Sequence, residues 1–196
     1  AYAQDVLIEE LYNFFPNAII HGGTAIWRCY NGNRFSGDID VYLTKDDKKI
    51  NNFFKYLEKK GFRIIKKRIK ENSLYSEIRI SDTPIRFEAT FQTKKPSLKR
   101  YETSESFFIN VLTLSIEELI IEKVNAYLKR RKIRDLYDIF FLLDNAKKER
   151  DVINYLNKLV KNFEEPIDEE NLATIIISGA IPDSKQLLEA IKRWAK

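Results

Sequence analysis

The two aspartates of Asp38-Ile39-Asp40 are the residues best suited to chemistry. Residues 38–43 alternate like a strand, so both carboxylates should lie on one face while Ile39 points into the core. Neighbouring carboxylates repel each other unless a cation lies between them. Hard oxygen ligands of this kind suit Mg²⁺, which completes its coordination shell with water and substrate phosphates. An ordinary surface strand gives the same pattern, so the pair needs support from other residues.

Two glycines precede this strand in Gly22-Gly23-Thr24. They follow a short predicted strand and open a predicted helix. Such a junction presents backbone N–H groups and the positive end of the helix dipole to an anion such as phosphate. A tight turn that requires positive φ is the simpler explanation, and both explanations stay open.

A third carboxylate follows from the alternation in residues 85–91. Burial of Phe87 and Ala89 places Glu88 on the opposite face, together with Arg86 and Thr90. Three carboxylates from two strands form the ligand set that two-metal phosphoryl transfer requires. Spacing alone does not show that the two strands are neighbours.

The C-terminal half offers a lysine and two aspartates on predicted helices. Ser115 with Glu118 indicates a capping box that begins the first of these helices. Lys123 lies near its apolar face, so the side chain either extends to the edge or aims its ammonium into a polar site. Asp135 and Asp138 share one face of the next helix, where a solvated acidic edge is the simpler interpretation.

Basic residues occur in clusters, although 34 Lys and Arg exceed 29 Asp and Glu by only five. The clusters are Lys66-Lys67-Arg68 with Lys70, Lys94-Lys95 with Lys99-Arg100, and Lys129-Arg130-Arg131-Lys132 with Arg134. Each alone is typical of solvated surface. Together they favour a polyanionic partner, nucleic acid or nucleotide. The run 129–134 is the predicted contact with an RNA backbone.

Composition bounds the class of protein. The 196 residues are 44% hydrophobic and 32% charged, which indicates a globular chain and excludes wholesale disorder. No apolar run approaches the roughly 18 residues of a membrane span. One cysteine, Cys29, and one histidine, His21, cannot form an internal disulfide or a structural zinc site. We expect a cytoplasmic protein with no membrane partner.

Hydrophobic periodicity predicts an α+β fold, mixed first and helical afterwards. The first part has predicted helices at 3–15, 24–30 and 46–60, and predicted strands at 18–20, 38–43, 62–69, 75–80 and 85–91. Polar residues 92–106 predict a boundary between domains 1–106 and 107–196. The second domain has predicted helices at 115–129, 134–147, 151–163 and 183–194.

Several segments together resemble the nucleotidyltransferase superfamily of the DNA polymerase β type. They are His21-Gly22-Gly23-Thr24-Ala25-Ile26 and Arg34-Phe35-Ser36-Gly37-Asp38-Ile39-Asp40. The chain looks most like the AbiEii/AbiGii toxin branch, which combines Gly-Gly-Thr-Ala with Arg-x-Ser-x-Asp-Ile-Asp. That branch also carries a helical Lys followed by Arg-Asp-x-x-Asp, here Lys123 and Arg134-Asp135-Leu136-Tyr137-Asp138. The resemblance implies a mixed sheet with flanking helices, then a helical bundle that contributes to the nucleotide site.

The resemblance also implies Mg²⁺-dependent transfer of a nucleoside monophosphate from an NTP to an acceptor hydroxyl. Asp38, Asp40 and Glu88 are then the metal ligands, with Mn²⁺ as the alternative ion. These three and Lys123 are the implied catalytic residues, although the family position of Glu88 is commonly Asp. The implied nucleotide-binding residues are Gly22, Gly23, Thr24, Arg34, Ser36, Lys123, Asp135 and Asp138.

The implied biological role is that of a toxin in a toxin–antitoxin or phage-defence system. The acceptor is then RNA, at the acceptor end of tRNA, and a separate protein is the cognate antitoxin. One alternative is an enzyme that modifies a small molecule or a protein hydroxyl. Another is a non-catalytic module that binds nucleotide or RNA, against which the retained Asp38, Asp40, Glu88 and Lys123 argue.

Overall fold

A computed structural model describes residues 1–196, with eight α-helices and seven strands. The helices are α1 (Tyr2–Phe14), α2 (Gly22–Cys29), α3 (Asp47–Lys59), α4 (Ile116–Arg130), α5 (Ile133–Leu143), α6 (Arg150–Lys161), α7 (Leu172–Ile175) and α8 (Ser184–Trp194). The strands are β1 (Ile19–His21), β2 (Asp38–Leu43), β3 (Arg63–Ile69), β4 (Ser73–Ile80), β5 (Thr83–Phe91), β6 (Ser97–Glu102) and β7 (Phe108–Thr113). None of the helices combines the length and apolarity needed to span a bilayer.

The chain forms two compact units. The first contains residues 1–30 and 36–114, and the second contains residues 31–35 and 115–196. The predicted boundary at residue 106 falls between β6 and β7, which pair with each other in the first unit. Sequence patterning predicts neither strand. The edge strand β6 buries only Tyr101 and resembles a polar linker, and β7 buries only Val111 and Thr113.

The first unit is built on one mixed sheet, with the strand order β3-β4-β5-β2-β1-β7-β6. The pairs β2–β5 and β1–β7 are parallel, and the other neighbouring strands are antiparallel. The parallel β2–β5 pair is central, and it aligns two strands that are far apart in sequence. The predicted α+β class with a mixed sheet is therefore confirmed.

One face of this sheet is the hydrophobic core of the first unit. Strand alternation turns Ile39 and Phe87 towards that face, where both are fully buried. Helices α1 and α3 supply the other side of the core, and the rings of Phe53 and Phe87 meet with centroids 6.1 Å apart. Covering one face in this way leaves the polar residues of β2 and β5 on the other.

The second unit is helical. The predicted capping box begins α4, where the Glu118 amide donates to the Ser115 hydroxyl and the Glu118 carboxylate accepts from the Ser115 amide. Leucine and isoleucine side chains of α4, α5, α6 and α8 form its interior. Residues 31–35 join this unit through a backbone bridge between Arg34 and Ile176.

Candidate active site

Strand register brings the predicted carboxylates together in the first unit. In the parallel β2–β5 pair, Asp40 is opposite Glu88 and Asp38 is opposite Arg86. Register partners point to the same side of a sheet, so these four side chains share one face, which we call the open face. The neighbour relation that spacing could not establish is therefore present in the fold.

Arg86 lies among these carboxylates. Its Nη1 is 3.3 Å from Asp38 Oδ2, and its Nε is 3.9 Å from Glu88 Oε1. Strand alternation predicts that Arg86 shares a face with Glu88 but does not indicate a role for it. The register with Asp38 supplies that role, because the guanidinium offsets the repulsion between two carboxylates.

The donor set of the open face fits a hard divalent cation. Carboxylate oxygens are the ligands that Mg²⁺ prefers, and β2 and β5 present three of them on one side of the sheet. As the side chains stand, no three His, Cys, Asp or Glu residues are close enough together to hold a metal ion. Arg86 provides the positive charge among them instead, through its contacts with Asp38 and Glu88.

Gly22 is the point where α2 begins against the open face. Its φ is +71°, and a Cβ built there would lie 2.6 Å from Asp40 Oδ2. No side-chain hydrogen bond caps the N-terminus of α2. The sequence therefore needs glycine at this position both for the backbone conformation and for the approach of the Asp40 carboxylate. The turn and anion-site explanations of the glycine pair are compatible here.

Thr24 and Ser36 have structural contacts. The Thr24 hydroxyl is fully buried and donates to the backbone carbonyl of Asp38. The backbone carbonyl of Ser36 accepts from Gln4 Nε2 at 3.0 Å. Thr24 thus fixes the start of β2 and, through it, the position of the first carboxylate.

His21 and Tyr42 border the open face. His21 is opposite Asp40 in the β1–β2 register, and its ring stacks on Tyr42 with centroids 4.1 Å apart. Lys94 Nζ lies 5.2 Å from the centroid of the Tyr42 ring. The histidine is therefore packed against an aromatic ring, and Lys94 adds a positive charge to this edge.

In the second unit, Lys123 is buried between the two predicted aspartates. Its Nζ lies 2.7 Å from Asp138 Oδ2 and 3.4 Å from Asp135 Oδ1. The aspartates have exposed side-chain fractions of 1% and 0%, so neither forms a solvated acidic edge. The lysine does not extend to the edge either. Asp135 and Asp138 are three residues apart on α5, so both carboxylates lie on the helix face that meets the Lys123 ammonium.

Arg34 completes this buried ion cluster, which we define as Arg34, Lys123, Asp135 and Asp138. Arg34 Nε donates to Asp138 Oδ1 at 2.5 Å and Nη2 donates to Oδ2 at 2.6 Å. Burial raises the pKa of Asp138, but the charges of Arg34 and Lys123 outweigh burial, so its pKa lies below the usual range. Asp138 in turn raises the pKa of Arg34 despite burial. Both carboxylate oxygens of Asp138 are therefore matched by cations within the cluster.

The basic run 129–134, where α4 ends and α5 begins, is largely occupied by ion pairs within the second unit. Arg130 donates through Nε to Asp135 Oδ2 at 2.6 Å. Arg131 Nη1 lies 2.5 Å from Glu164 Oε2, and Lys132 Nζ lies 3.4 Å from Asp168 Oδ2. Much of the charge that favoured an RNA contact is therefore matched by local carboxylates.

Most of the predicted site residues thus form two groups, while Gly23, Thr24 and Ser36 lie in the first unit, in α2 and in the segment before β2. Gly22, Asp38, Asp40 and Glu88 come together in the first unit, and Arg34, Lys123, Asp135 and Asp138 come together in the second. Arg86 is the member of the open face that sequence reasoning missed, and strand register is the signal that identifies it.

Comparisons with solved structures agree with this fold. MenT4, the nucleotidyltransferase toxin Rv2826c from Mycobacterium tuberculosis H37Rv, matches with a TM-score of 0.67 and 17% identity over 98% of this chain and 85% of that chain. JHP933 from Helicobacter pylori matches with a TM-score of 0.64 and 17% identity over 97% and 88%. The antibiotic-resistance factor ANT(2'')-Ia matches with a TM-score of 0.53 and 14% identity over 82% and 93%.

A search of curated proteins gave no match. A family model does match: the nucleotidyl transferase AbiEii toxin of type IV toxin–antitoxin systems, over residues 6–190. That match covers nearly the whole chain, including both groups of site residues. With a mixed sheet that aligns Asp38, Asp40 and Glu88, the chain belongs to the AbiEii toxin family and is a nucleotidyltransferase.

Proposed function

We propose that this chain transfers a nucleoside monophosphate from an NTP to an RNA hydroxyl, at the acceptor end of tRNA, with Mg²⁺ required. The observation that carries the proposal is the parallel pairing of β2 with β5, which sets Glu88 opposite Asp40 on the open face. Membership of a nucleotidyltransferase toxin family supports the transfer chemistry. The net charge of +5 supports a polyanionic acceptor.

Asp38, Asp40 and Glu88 would hold the Mg²⁺, or Mn²⁺ in its place. Bound there, the ion supplies neutralisation of phosphate charge and lowers the pKa of a bound hydroxyl. Arg86 contributes a guanidinium on the same face, and a guanidinium can contact two phosphate oxygens at once.

In the reaction, the acceptor hydroxyl oxygen forms a bond to the α-phosphorus of the NTP. The bond from that phosphorus to the oxygen of the β-phosphate breaks, and pyrophosphate leaves with the electron pair. The Glu88 carboxylate accepts the hydroxyl proton. The uncapped N-terminus of α2 at Gly22 donates N–H groups to phosphate oxygens and keeps the nucleotide in line with the acceptor.

The buried ion cluster has a separate role in the proposal. Lys123 contributes positive charge to nucleotide binding, and Asp135 and Asp138 orient its ammonium. Their distances of 3.4 and 2.7 Å from Nζ support the orienting role. Because Arg34 makes a bidentate contact with Asp138, we assign it as a positioning residue rather than a direct ligand of the nucleotide.

The biological proposal is that this transferase acts in the cytoplasm as the toxin of a toxin–antitoxin pair. The family description, a type IV toxin–antitoxin system, supports a separate cognate antitoxin. Addition of nucleotides to the acceptor end of tRNA blocks aminoacylation, which gives transfer to tRNA a toxic outcome.

The test is incubation with each α-³²P-labelled NTP, Mg²⁺ and total tRNA. We expect label on the tRNA 3′ end with the wild-type chain and none with Asp40→Asn. Glu58→Gln is the matched control, because it removes one carboxylate charge at an exposed position of α3 in the same unit. It should label tRNA like the wild type.

Each result has a distinct meaning. Label on protein or on a small metabolite, with none on tRNA, would replace the RNA acceptor by another hydroxyl. Label on tRNA that survives Asp40→Asn would remove the open face from the mechanism. Loss of transfer upon chelation of divalent ions, with recovery upon Mg²⁺ addition, tests the metal requirement.

A further inference from the structure

The acceptor RNA needs a docking surface, and the basic run 129–134 is poorly suited to be one. Arg130, Arg131 and Lys132 each contact a carboxylate of the second unit. A phosphate that displaced those carboxylates would leave Asp135, whose side chain is fully buried, without one of its cationic partners. Positive charge that is not committed in this way must be sought elsewhere.

The face of the sheet that carries the carboxylates continues across β4 and β3. Tyr75 on β4 is opposite Glu88, and Arg68 on β3 is opposite Tyr75. Neighbouring strands are about 4.8 Å apart, so Tyr75 is one strand away from Glu88, the proposed proton acceptor, and Arg68 is two strands away from it. This direction leads from the reacting hydroxyl to the nucleotides that precede it in an RNA chain.

The side chains along this direction are mostly basic. The register of β3 and β4 puts four basic side chains and one acidic side chain, Glu77, on this face. We call it the basic strand face and define it by Arg63, Lys66, Arg68, Tyr75 and Arg79. Alternation explains the charge, because the intervening positions of β4, Leu74, Ser76 and Ile78, are buried in the core.

An aromatic ring lies among these charges. Tyr75 is half-buried, and Lys66 Nζ lies 5.3 Å from the centroid of its ring. Lys66 and Arg68 are exposed. A cationic groove combined with an aromatic side chain is the usual surface for a single nucleic acid strand, because phosphates bind the cations and a base stacks on the ring.

Lys67 shows that the pattern depends on the face and not on composition. It lies between Lys66 and Arg68 in sequence but points to the helical side of the sheet, where Nζ donates to Asn51 Oδ1 at 2.9 Å. It also lies 5.1 Å from the centroid of the Phe54 ring. The chain therefore offers a lysine of equal charge, on the same strand, that the proposed surface does not use.

We propose that the basic strand face binds the single-stranded end of the acceptor RNA. Tyr75 stacks on a base close to the reacting hydroxyl, while Lys66 and Arg68 contact the phosphates of the nucleotides that precede that base in the RNA chain. The inference rests on the proposed function, since it assigns the surface that presents the RNA acceptor to the open face.

The test compares two double variants. Lys66→Ala/Arg68→Ala removes two exposed charges from the basic strand face, and Lys67→Ala/Lys55→Ala removes two from the helical side, Lys55 being exposed on α3. The probe is a short fluorescein-labelled single-stranded RNA, titrated by anisotropy without NTP at several salt concentrations. Transfer of label from α-³²P NTP to tRNA is measured separately.

We expect the first variant to raise the Kd about tenfold and to lower the salt slope by about 1.4, since each phosphate contact on a single strand contributes about 0.7. The control should change both quantities far less. Tyr75→Leu should weaken binding about fivefold or more, and Tyr75→Phe should restore it, because the ring and not the hydroxyl stacks on the base.

Equal weakening by both double variants would reduce the effect to net charge and overturn the proposal, as would an unchanged Kd in the first variant. If Lys66→Ala/Arg68→Ala transfers label to tRNA at the wild-type rate and binds the RNA probe with an unchanged Kd, the basic strand face is rejected and the proposed function stands. RNA binding that depends on this face, without transfer to any RNA, would support the face and reject the proposed acceptor.

Discussion

The open face of the first unit and the buried ion cluster of the second use the same kinds of side chain under opposite conditions. On the open face, the Asp38 and Glu88 side chains are 29% and 43% exposed. In the cluster, Asp138 is 1% exposed and is held by Arg34 and Lys123. The solvent-accessible carboxylates of the open face share one half-exposed guanidinium and can accept a further cation from solvent, whereas buried charges must be satisfied within the fold.

The difference has a measurable consequence. Removing an exposed carboxylate takes away a ligand but little stabilisation, because surface ion pairs contribute about 0–1 kcal/mol. Removing a buried one leaves its cations without a partner in a medium that solvates them poorly. Substitutions in the first unit should therefore separate activity from stability, and substitutions in the second should not.

The largest expected effect is on transfer by Asp38→Asn. The loss of a metal ligand worth several kcal/mol should lower the transfer rate about 1000-fold or more, while the free energy of unfolding changes by less than about 1 kcal/mol. Single-turnover transfer and urea unfolding measure the two quantities. A variant that unfolds as the wild type does yet transfers at an undiminished rate would contradict the role of the open face.

Asp138→Ala should have the largest effect on stability. It leaves Arg34 and Lys123 buried without their shared carboxylate, so we expect a loss of about 3–5 kcal/mol in urea unfolding. Asp144→Ala, at the exposed end of the same helix, is the control and should change stability by less than about 1 kcal/mol. If both cost the same, the cluster is no more than a surface ion pair.

Gly22→Ala tests how the backbone supports the open face. Its φ of +71° and the 2.6 Å approach of Asp40 Oδ2 predict a loss of about 1–2 kcal/mol together with a displaced carboxylate. Gly61→Ala is the matched control, because φ is +89° but nothing lies within 4 Å of the added Cβ. Both variants should be destabilised, and only Gly22→Ala should lose transfer. Equal activity in the two would show that Asp40 tolerates the shift.

Lys123→Met tests whether the buried ion cluster contributes to nucleotide binding as well as to stability. If its ammonium contributes to nucleotide binding as proposed, the Kd for the NTP should rise about tenfold, equivalent to about 1.4 kcal/mol. Lys129→Met removes an exposed lysine from the same helix and should leave the Kd unchanged. Calorimetric titration of the NTP gives both values. Reduced stability with an unchanged Kd would assign Lys123 to structure alone.

The smallest effect should appear only in acid. Because the pKa of Asp138 is lowered in the folded chain, the unfolded chain binds a proton first as the pH falls below about 4. Stability from this group is complete above that pH and is lost as the pH falls towards the folded pKa. Thermal unfolding from pH 6 to pH 3 should show a smaller decline in Asp138→Asn than in the wild type. A parallel decline would mean that other carboxylates dominate.

Sequence patterns predicted the faces of the strands well, because alternation is a local property. Asp38, Asp40 and Glu88 are on one side of the sheet, as the buried Ile39 and Phe87 required. Pairing of β2 with β5 could not be predicted, since nothing local selects the partner of a parallel strand. For that reason the role of Arg86 emerged only from the register.

Burial of charge was harder to predict than strand faces. The simpler interpretation of Asp135 and Asp138 as a solvated edge is wrong, and the family resemblance already assigns both to a site. Spacing on α5 could not reveal Arg34, which contacts Asp138 from 104 residues earlier in the chain. Likewise β6 was missed because an edge strand with one buried side chain has the composition of a linker. Local patterns report local contacts, and these features depend on partners distant in sequence.

The interleaved connectivity of the two units affects the order in which the chain is completed. During synthesis Arg34 leaves the ribosome 104 residues ahead of the carboxylate that receives it. The second unit needs residues 31–35, which are embedded in the sequence of the first. The second unit therefore cannot be excised as a continuous fragment that leaves out the first, and a nascent chain can reach its final charge pairing only after α5 has been made.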